Sequence, residues 1–216
     1  MSTMTIKQCI LKYLVLIFSL GQLSAACAAT GTEDLERFYD FVKTYSAEFE
    51  QVVLDETLNI VETSSGKMWL GRPGKFRWDY AAPLPQEIVS DGQQIWIYDV
   101  DLESVQVRKL GDALGDTPAA ILAGQGNIKA SYELAEIGPQ GDQTWVALIP
   151  KSKESPFEYV RLGFHDSELS IIELVDGLGQ TTRITMSNIK VNPSVKSSRF
   201  KFDTPDGVDV IDNEGL

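Results

Sequence analysis

The chain of 216 residues has few of the residues on which catalytic and metal sites are usually built. It contains two cysteines, Cys9 and Cys27, and one histidine, His165. Both cysteines lie in an N-terminal stretch typical of a leader, so no disulfide, thiol nucleophile or thiolate metal site is expected beyond it. His165 stands beside Asp166-Ser167 at a turn signal and is expected to be an exposed turn residue. No Gly-x-Ser-x-Gly motif occurs, and one imidazole is too few for a metal site. We therefore expect no enzyme, no cofactor and no metal.

Long hydrophobic runs are also missing. Residues 13–20 form an apolar run of eight, preceded by Lys7 and Lys12 and followed by Ala26-Cys27-Ala28. This order is typical of a secretory signal, and the run is far shorter than the ~20 residues that span a bilayer. We expect residues 1–28 to be a signal peptide and residues 29–216 to form a single exported domain.

Cys27 leaves one alternative open. Residues 23–27 resemble a bacterial lipoprotein cleavage box, although Ser24 stands where such boxes usually carry leucine. Lipidation of Cys27 would convert a soluble protein into an anchored one.

Basic residues are scarce. The chain has 19 Lys and Arg against 31 Asp and Glu, a net charge of −12. Without Lys7 and Lys12 of the leader, 17 basic residues face 31 acidic ones, which gives −14. Such a charge argues against binding nucleic acid or anionic membrane surfaces. It also favours a soluble monomer.

The exported part opens with an amphipathic helix and continues as strands. Thr30 and Glu33 form a capping box, and a helical apolar spacing follows at Leu35, Phe38, Phe41, Val42 and Tyr45. Beyond Ser46 the period changes to two.

Short segments rich in β-branched and aromatic residues then alternate with turn signals, which predicts a long antiparallel meander. One of these turns is expected at residues 138–142. Apolar positions at Phe200, Phe202, Val208 and Val210 predict the last strands. The fold class is mainly β with helices: a single curved antiparallel sheet of about ten to eleven strands, with two or three helices over one face.

A small helix interrupts the meander. Thr117 is its N-cap, Pro118 occupies the first helical position and Gly124 ends it. The eight residues 117–124 carry no charge. A helix without a polar face is usually covered on most sides, so this one is expected to lie against the sheet.

One stretch, residues 68–80, is the most informative. Alternation places Phe76, Trp78 and Tyr80 on one face of a strand, and Arg72 follows Met68 and Leu70 in register. This face either fills a permanent core, together with Ile95 and Ile97, or holds an apolar ligand. A buried unpaired guanidinium is costly, so Arg72 needs carbonyls or carboxylates. It is expected either to bond the last carbonyls of a covering helix or to form a surface salt bridge at a strand end.

Several motifs, in this order, resemble the periplasmic outer-membrane lipoprotein carrier family, LolA. The similarity extends over nearly all of the exported chain. Each fragment is a weak signal, but their colinear succession is specific. The motifs are Gly71-Arg-Pro-Gly-Lys-Phe-Arg-Trp-Asp-Tyr80, Pro83, Ile88-Val-Ser-Asp-Gly92, Trp96-Ile-Tyr-Asp99, Asp101-Leu102, Gln106-Val107, Thr117-Pro118, Pro150-Lys151, residues 176–180, Phe200-Lys-Phe202 and Pro205-Asp-Gly-Val-Asp209.

The resemblance implies an incomplete β-barrel whose apolar concave face is closed by a helical lid. It implies a monomeric, non-catalytic periplasmic chaperone in outer-membrane biogenesis. This chaperone takes triacylated lipoproteins from an inner-membrane ABC transporter and passes them to an outer-membrane receptor. Carried over by position, Arg72 is the residue that holds the lid, and the small helix contributes Pro118, Ile121 and Leu122 to that lid. The acyl-chain cavity is assigned to Met68, Leu70, Phe76, Trp78, Ile95 and Ile97.

Three alternatives stay open at this point. The first is a lipid-anchored receptor of the same fold, held through Cys27. The second is a carrier for another amphiphilic lipid. The third is a hydrolase built on the same curved sheet.

Overall fold

The fold is an open, twelve-stranded sheet with helices over its concave face. The computed structural model describes residues 29–81, 83–111, 117–124 and 128–212. The predicted leader, with Cys27, lies outside this part. The described residues contain these elements: α1 (Gly31–Phe41), β1 (Thr44–Leu54), β2 (Ile60–Gly71), β3 (Lys75–Tyr80), β4 (Gln86–Asp91), β5 (Gln94–Asp99), β6 (Ser104–Lys109), α2 (Pro118–Ala123), α3 (Ile128–Ser131), β7 (Tyr132–Gln140), β8 (Gln143–Pro150), β9 (Phe157–His165), β10 (Glu168–Asp176), β11 (Thr181–Val191), a 3₁₀ helix (Ser197–Phe200) and β12 (Asp209–Asp212).

The mainly β architecture predicted from the sequence is confirmed, but the sheet is not one continuous meander. The strand order is β12-β6-β5-β4-β3-β2-β1-β11-β10-β9-β8-β7. Two antiparallel meanders, β1–β6 and β7–β11, are joined where β1 pairs with β11. The two edge strands are β12 and β7, so the barrel is incomplete.

This topology forces one connection to cross the whole sheet. Strand β6 lies beside one edge, and β7 forms the other edge. The connection between them carries α2, which packs on β2 and β3, and α3, which packs on β7. These two helices therefore lie between one edge of the sheet and the other.

Three local predictions were wrong. The first helix ends at Phe41, with Val42 as its C-cap, and Tyr45 is already in β1. Because β1 starts there, Tyr45 points into the core through strand alternation and is completely buried, whereas Phe41 is 69% exposed.

The predicted turn at residues 138–142 is shorter than expected. Strand β7 continues to Gln140, and its pairing with β8 shifts register between Glu136 and Gly138. The backbone of Gly138 has φ +86°, a conformation that glycine adopts without steric cost.

The C-terminal segment differs most from the prediction. Phe200 closes a 3₁₀ helix, and Phe202 lies in an extended segment outside the sheet. Only residues 209–212 form a strand, and β12 pairs with β6 in parallel. Phe202 instead packs on the outer face of the sheet, where its ring stacks on Trp96 at 6.2 Å.

The capping box at the start of α1 is present as predicted. The Thr30 hydroxyl accepts from the Glu33 backbone N–H, and the Glu33 carboxylate accepts from Thr30 N–H. Leu35 and Phe38 on its apolar face are buried against the sheet. His165 lies at the β9–β10 hairpin with a half-exposed side chain.

Within the described residues, no helix is both long enough and apolar enough to cross a bilayer.

Candidate functional site: a lid over an apolar sheet face

Two rows of side chains cross the concave face of β2–β5. The first runs Met68–Trp78–Ile88–Ile97 from strand to strand, and the second runs Leu70–Phe76–Ser90–Ile95. The register thus brings together all six residues that the sequence analysis assigned to a cavity. Met68, Leu70, Phe76, Trp78 and Ile95 are each at most 2% exposed, while Ile97 is partly buried against the same cluster.

The rows continue onto β1, where sequence reasoning assigned no site residues. Ala47 lies opposite Met68, and Tyr45 lies opposite Leu70. Phe49, two residues further on, contacts Trp78 with a ring separation of 5.1 Å. The alternation of β1 was visible in the sequence, but its neighbours in the sheet were not.

Tyr80 belongs to this face as well. Its ring lies edge-on to Phe49 at 5.0 Å, and its hydroxyl donates to Gln51 Oε1 at 3.0 Å. Burial raises the pKa of Tyr80 well above its ordinary value, so the hydroxyl remains a donor.

Two helices cover the concave side of the whole sheet, and we call them the lid. Helix α1 packs against β7–β10, and α2 packs against β2 and β3. Ile121 and Leu122 of α2 are buried in the same apolar cluster as Phe76, whereas Pro118 at the start of the helix is partly exposed.

Arg72 lies at the junction of α1, α2 and the sheet. It follows the last residue of β2, in the turn to β3, and its guanidinium contacts both helices. Nη1 donates to Phe38 O at 2.7 Å and to Val42 O, both at the end of α1. Nη2 donates to Leu122 O of α2 at 3.0 Å. One side chain therefore ties the ends of two helices to the sheet.

The surroundings of Arg72 stabilise its charged form less than water would, because the side chain is mostly removed from solvent. Burial lowers the pKa of Arg72 to about 10, which still leaves it protonated at neutral pH. The cation lies over the rings of Phe38 and Tyr39, with centroids at 4.4 and 4.6 Å. Its Nε is buried, and no atom of the described residues accepts a hydrogen bond from it. Among these residues the charge is held by carbonyl dipoles and ring faces and by no carboxylate, so it is only partly compensated.

Tyr39 and Gly74 add two further bonds to the same junction. The Tyr39 hydroxyl donates to Ile121 O at 2.6 Å, and Gly74 N–H donates to Ala123 O at 3.2 Å. Burial raises the pKa of Tyr39 far above its ordinary value, so its proton stays available for this bond. Tyr39 was not predicted, because one aromatic residue in an amphipathic helix gives no signal of its partner.

The other end of α1 is held by Glu136 of β7. One carboxylate oxygen accepts from Gly31 N–H at 3.0 Å, and the other accepts from Thr32 N–H at 2.8 Å and from its hydroxyl at 2.7 Å. Burial opposes ionisation, but the hydrogen bonds from Thr32, Gly31 and Gly138 outweigh it and hold the pKa of Glu136 below its ordinary value. The carboxylate also complements the helix dipole.

The lid thus covers and packs against aliphatic and aromatic side chains of the sheet. The polar groups at this junction join the lid to the sheet. No group of three or more potential metal-ligating side chains occurs in the described ranges.

Comparison with known proteins assigns this arrangement to a family. The chain is 46% identical over 201 residues to an outer-membrane lipoprotein carrier protein of Nitrosospira multiformis, covering 93% of this chain and 97% of that one. It is 39% identical to the protein of the same name from Methylococcus capsulatus, covering 94% and 98%. An uncharacterized conserved protein from Thermus thermophilus shares the fold, with a TM-score of 0.52, 13% identity and coverage of 84% and 98%. The family model described as outer membrane lipoprotein carrier protein LolA matches residues 40–203. The chain therefore belongs to the LolA family of outer-membrane lipoprotein carriers.

Proposed function

We propose that this protein is a periplasmic chaperone that shields the acyl chains of lipoproteins between two membranes. It takes triacylated lipoproteins from an inner-membrane ABC transporter and delivers them to an outer-membrane receptor. Membership of the carrier family supports the class of cargo. The observation that carries the proposal is Arg72, which joins two helices over a largely apolar sheet face through bonds to carbonyls. We call Arg72 the latch.

The energetics fit a lid that closes an empty carrier. Burying acyl methylenes yields ~0.8 kcal/mol each, so one chain of ~15 methylenes contributes on the order of 12 kcal/mol. A face that binds such chains would cause aggregation if it stayed exposed. The lid covers it, and hydrogen bonds to a charged donor contribute only about 1.5–3 kcal/mol each. Cargo can therefore displace the lid.

Because the charge of Arg72 is only partly compensated, the lid can open and close during each round of transport. A carboxylate partner would lock the guanidinium, whereas carbonyls release it at moderate cost. Loading uses energy supplied by the transporter, and the return of the latch to its carbonyls favours release to the receptor.

The protein acts without catalysis or a cofactor in this proposal. Its single histidine is half-exposed at a hairpin, and the contacts at the lid are structural. The carboxylates of Asp55 and Asp176 accept hydrogen bonds from backbone N–H groups in turns.

The central experiment is transfer of a triacylated lipoprotein from the loaded protein to the purified receptor. Arg72→Leu should still bind cargo but transfer it at least tenfold more slowly, because loss of the latch destabilises the closed state that release regenerates. Arg37→Leu is the matched control, since Arg37 is an exposed arginine of α1 whose one bond within the described part of the chain is to Ser167. Wild-type transfer by Arg72→Leu would refute the latch. Failure of the wild-type protein to bind the lipoprotein would refute the carrier function.

Two alternatives have direct tests. An anchored receptor would carry a diacylglyceryl group on Cys27, which mass spectrometry of the mature N-terminus would reveal. A carrier of another amphiphile would release that lipid on solvent extraction of the purified protein. The two relatives reported above are named outer-membrane lipoprotein carrier proteins, which favours a lipoprotein carrier over both alternatives.

A further inference from the structure

A cleft of about 660 Å³ lies on the outer face of the sheet, opposite the lid. Strand alternation places its floor residues outward, because their neighbours Tyr45, Leu70 and Phe76 point into the core. The cleft is lined by Ser46, Trp69, Arg77, Lys190, Pro193, Ser194, Val195, Lys196, Ser198 and Arg199.

The floor of this cleft is a single cross-strand row. Lys190 of β11 lies opposite Ser46 of β1, Ser46 lies opposite Trp69 of β2, and Trp69 lies opposite Arg77 of β3. The wall is the segment 193–199, which is anchored by Phe200 beneath it. Arg199 reaches from the wall over the ring of Trp69, with 4.3 Å from its guanidinium carbon to the ring centroid.

The charge of the cleft is opposite to that of the protein. Its lining includes four cations and no carboxylate, although the whole chain carries −12. Arg77 is neutralised by Asp79 and Glu87, at 2.7 and 2.5 Å. The other three, Lys190, Lys196 and Arg199, make no ion pair with any carboxylate in the part of the chain that the structure describes. Lys190 also interacts at longer range with the Glu48 carboxylate of β1, and an anion entering the cleft would meet all three cations.

We propose that this cleft binds an acidic, extended peptide segment of a partner protein. Its volume lies in the range of ligand-binding clefts and is much larger than one phosphate requires. Carboxylates of the peptide would pair with Lys190, Lys196 and Arg199, and the serine hydroxyls would supply further donors. Trp69, Pro193 and Val195 provide apolar contact for the side chains between them.

A peptide fits better than an anionic membrane surface. The cations line a recess, whereas a bilayer would have to approach a strongly acidic protein closely to reach them. The cleft also lies on the face away from the lid, so a peptide can occupy it while the apolar face is loaded or empty. This site is separate from the carrier function proposed above, and either can fail alone.

The test is fluorescence anisotropy of the purified protein with a fluorescein-labelled peptide, Gly-Asp-Glu-Leu-Asp-Glu-Gly. We expect binding that weakens as salt is raised, because exposed charges are screened. The variant Lys190→Gln/Lys196→Gln/Arg199→Gln should bind at least tenfold more weakly. The control variant Lys75→Gln/Lys153→Gln/Lys201→Gln removes three exposed cations outside the cleft and should bind as the wild type does. Circular dichroism verifies that both variants are folded.

Three results would overturn the proposal. One is no binding of the peptide by the wild type at low salt. Another is equal weakening in both triple variants, which would mean that only net charge matters. The third is binding of phosphatidylglycerol vesicles, but not of the peptide, with loss in the cleft variant, which would assign the site to a lipid headgroup.

Discussion

Arg72 joins both lid helices to the sheet through its guanidinium. The guanidinium has five donors in a fixed planar fork, and three carbonyls from two helices accept from it. A lysine offers a point charge on a flexible stem and cannot reach three acceptors in this geometry. The position is therefore specific for arginine for geometric reasons as well as for its charge.

Gly124 is a second residue on which the latch depends. It ends α2 with φ +61°, and a Cβ there would lie 3.0 Å from Arg72 Nε and 2.9 Å from Tyr39 Cε1. Gly124→Ala should destabilise the closed lid by about 1 kcal/mol, through the left-handed backbone and the displaced guanidinium. Hydrogen exchange in α2 should then be several-fold faster than in the wild type, whereas exchange in β1 should be unchanged.

Gly111 provides the control for that change. A Cβ at Gly111 meets no atom of the described residues within 4 Å, and the φ of Gly111 is outside the left-handed region. Gly111→Ala should leave hydrogen exchange in α2 unchanged. Equal changes in hydrogen exchange for Gly124→Ala and Gly111→Ala would show that Gly124 does not support the contacts of Arg72.

Single residues also mark the limit of sequence reasoning. The register of Arg72 with Leu70, and the cost of burying its charge, predict a need for carbonyls or carboxylates. They do not say which carbonyls, since Phe38, Val42 and Leu122 come from segments 30 to 50 residues away. Such contacts follow from tertiary packing, which the local pattern of β2 does not contain.

At the scale of elements, α1 is fixed at both ends to different parts of the sheet. Glu136 of β7 accepts from its first N–H groups, and Arg72 donates to its last carbonyls. These are the groups that a helix leaves unpaired. The helix is therefore held by its backbone ends as well as by its apolar face.

Glu136→Gln should weaken the N-terminal attachment of α1 by about 1 kcal/mol, because an amide accepts fewer hydrogen bonds and carries no charge for the helix dipole. Glu133→Gln is the control, since Glu133 is an exposed acid on the same strand. Thermal unfolding should show a lower Tm for Glu136→Gln only. A Tm equal to that of the control would contradict the attachment.

The same carboxylate predicts a pH dependence. The pKa of Glu136 is lowered in the folded state, so its stabilisation is complete above the ordinary glutamate pKa of about 4.3. It is lost as the pH falls through the lowered folded value. Between pH 6 and pH 3, the wild type should lose more stability than Glu136→Gln does. Denaturant titrations at a series of pH values measure the difference, and parallel curves would refute it.

Elements were predicted unevenly from the sequence. Strands between marked turns, such as β5 and β6, belong to the antiparallel meander that the turn signals predict. The end of α1 was missed because Tyr45 fits the helical spacing from Phe41 and also the strand alternation that continues to Phe49. The last segment was missed because Phe200 and Phe202 alternate like a strand while packing on the outside of one.

At the scale of the whole molecule, cargo binding and folding should be coupled. A triacylated lipopeptide at 100 times its Kd should stabilise the protein by about 2.7 kcal/mol. For a chain of this size, that corresponds to a rise in Tm of about 5–10 °C. Calorimetry with the lipopeptide, and with its unacylated peptide as control, measures the effect. An equal shift from the unacylated peptide would mean that the acyl chains are not what the protein binds.

The sequence predicted the sheet and its covered face, but not how the strands are joined. Hairpins follow from local turn signals, so the pairing of successive strands within each meander could be predicted. The β1–β11 pairing and the parallel β12 connect parts of the chain that are far apart, and no turn specifies them. The incomplete barrel itself was inferred from resemblance to the family.

The connection between β6 and β7 is tied to the sheet at both ends, because these strands lie at or beside its opposite edges. Helix α2, which this connection carries, can therefore rise from the sheet without leaving it. A helical residue advances the chain by about 1.5 Å and an extended one by about 3.4 Å, so unwinding α2 would lengthen the connection by about 2 Å per residue. In the proposed carrier, we expect the length of this connection to limit how far α2 can rise over the acyl chains.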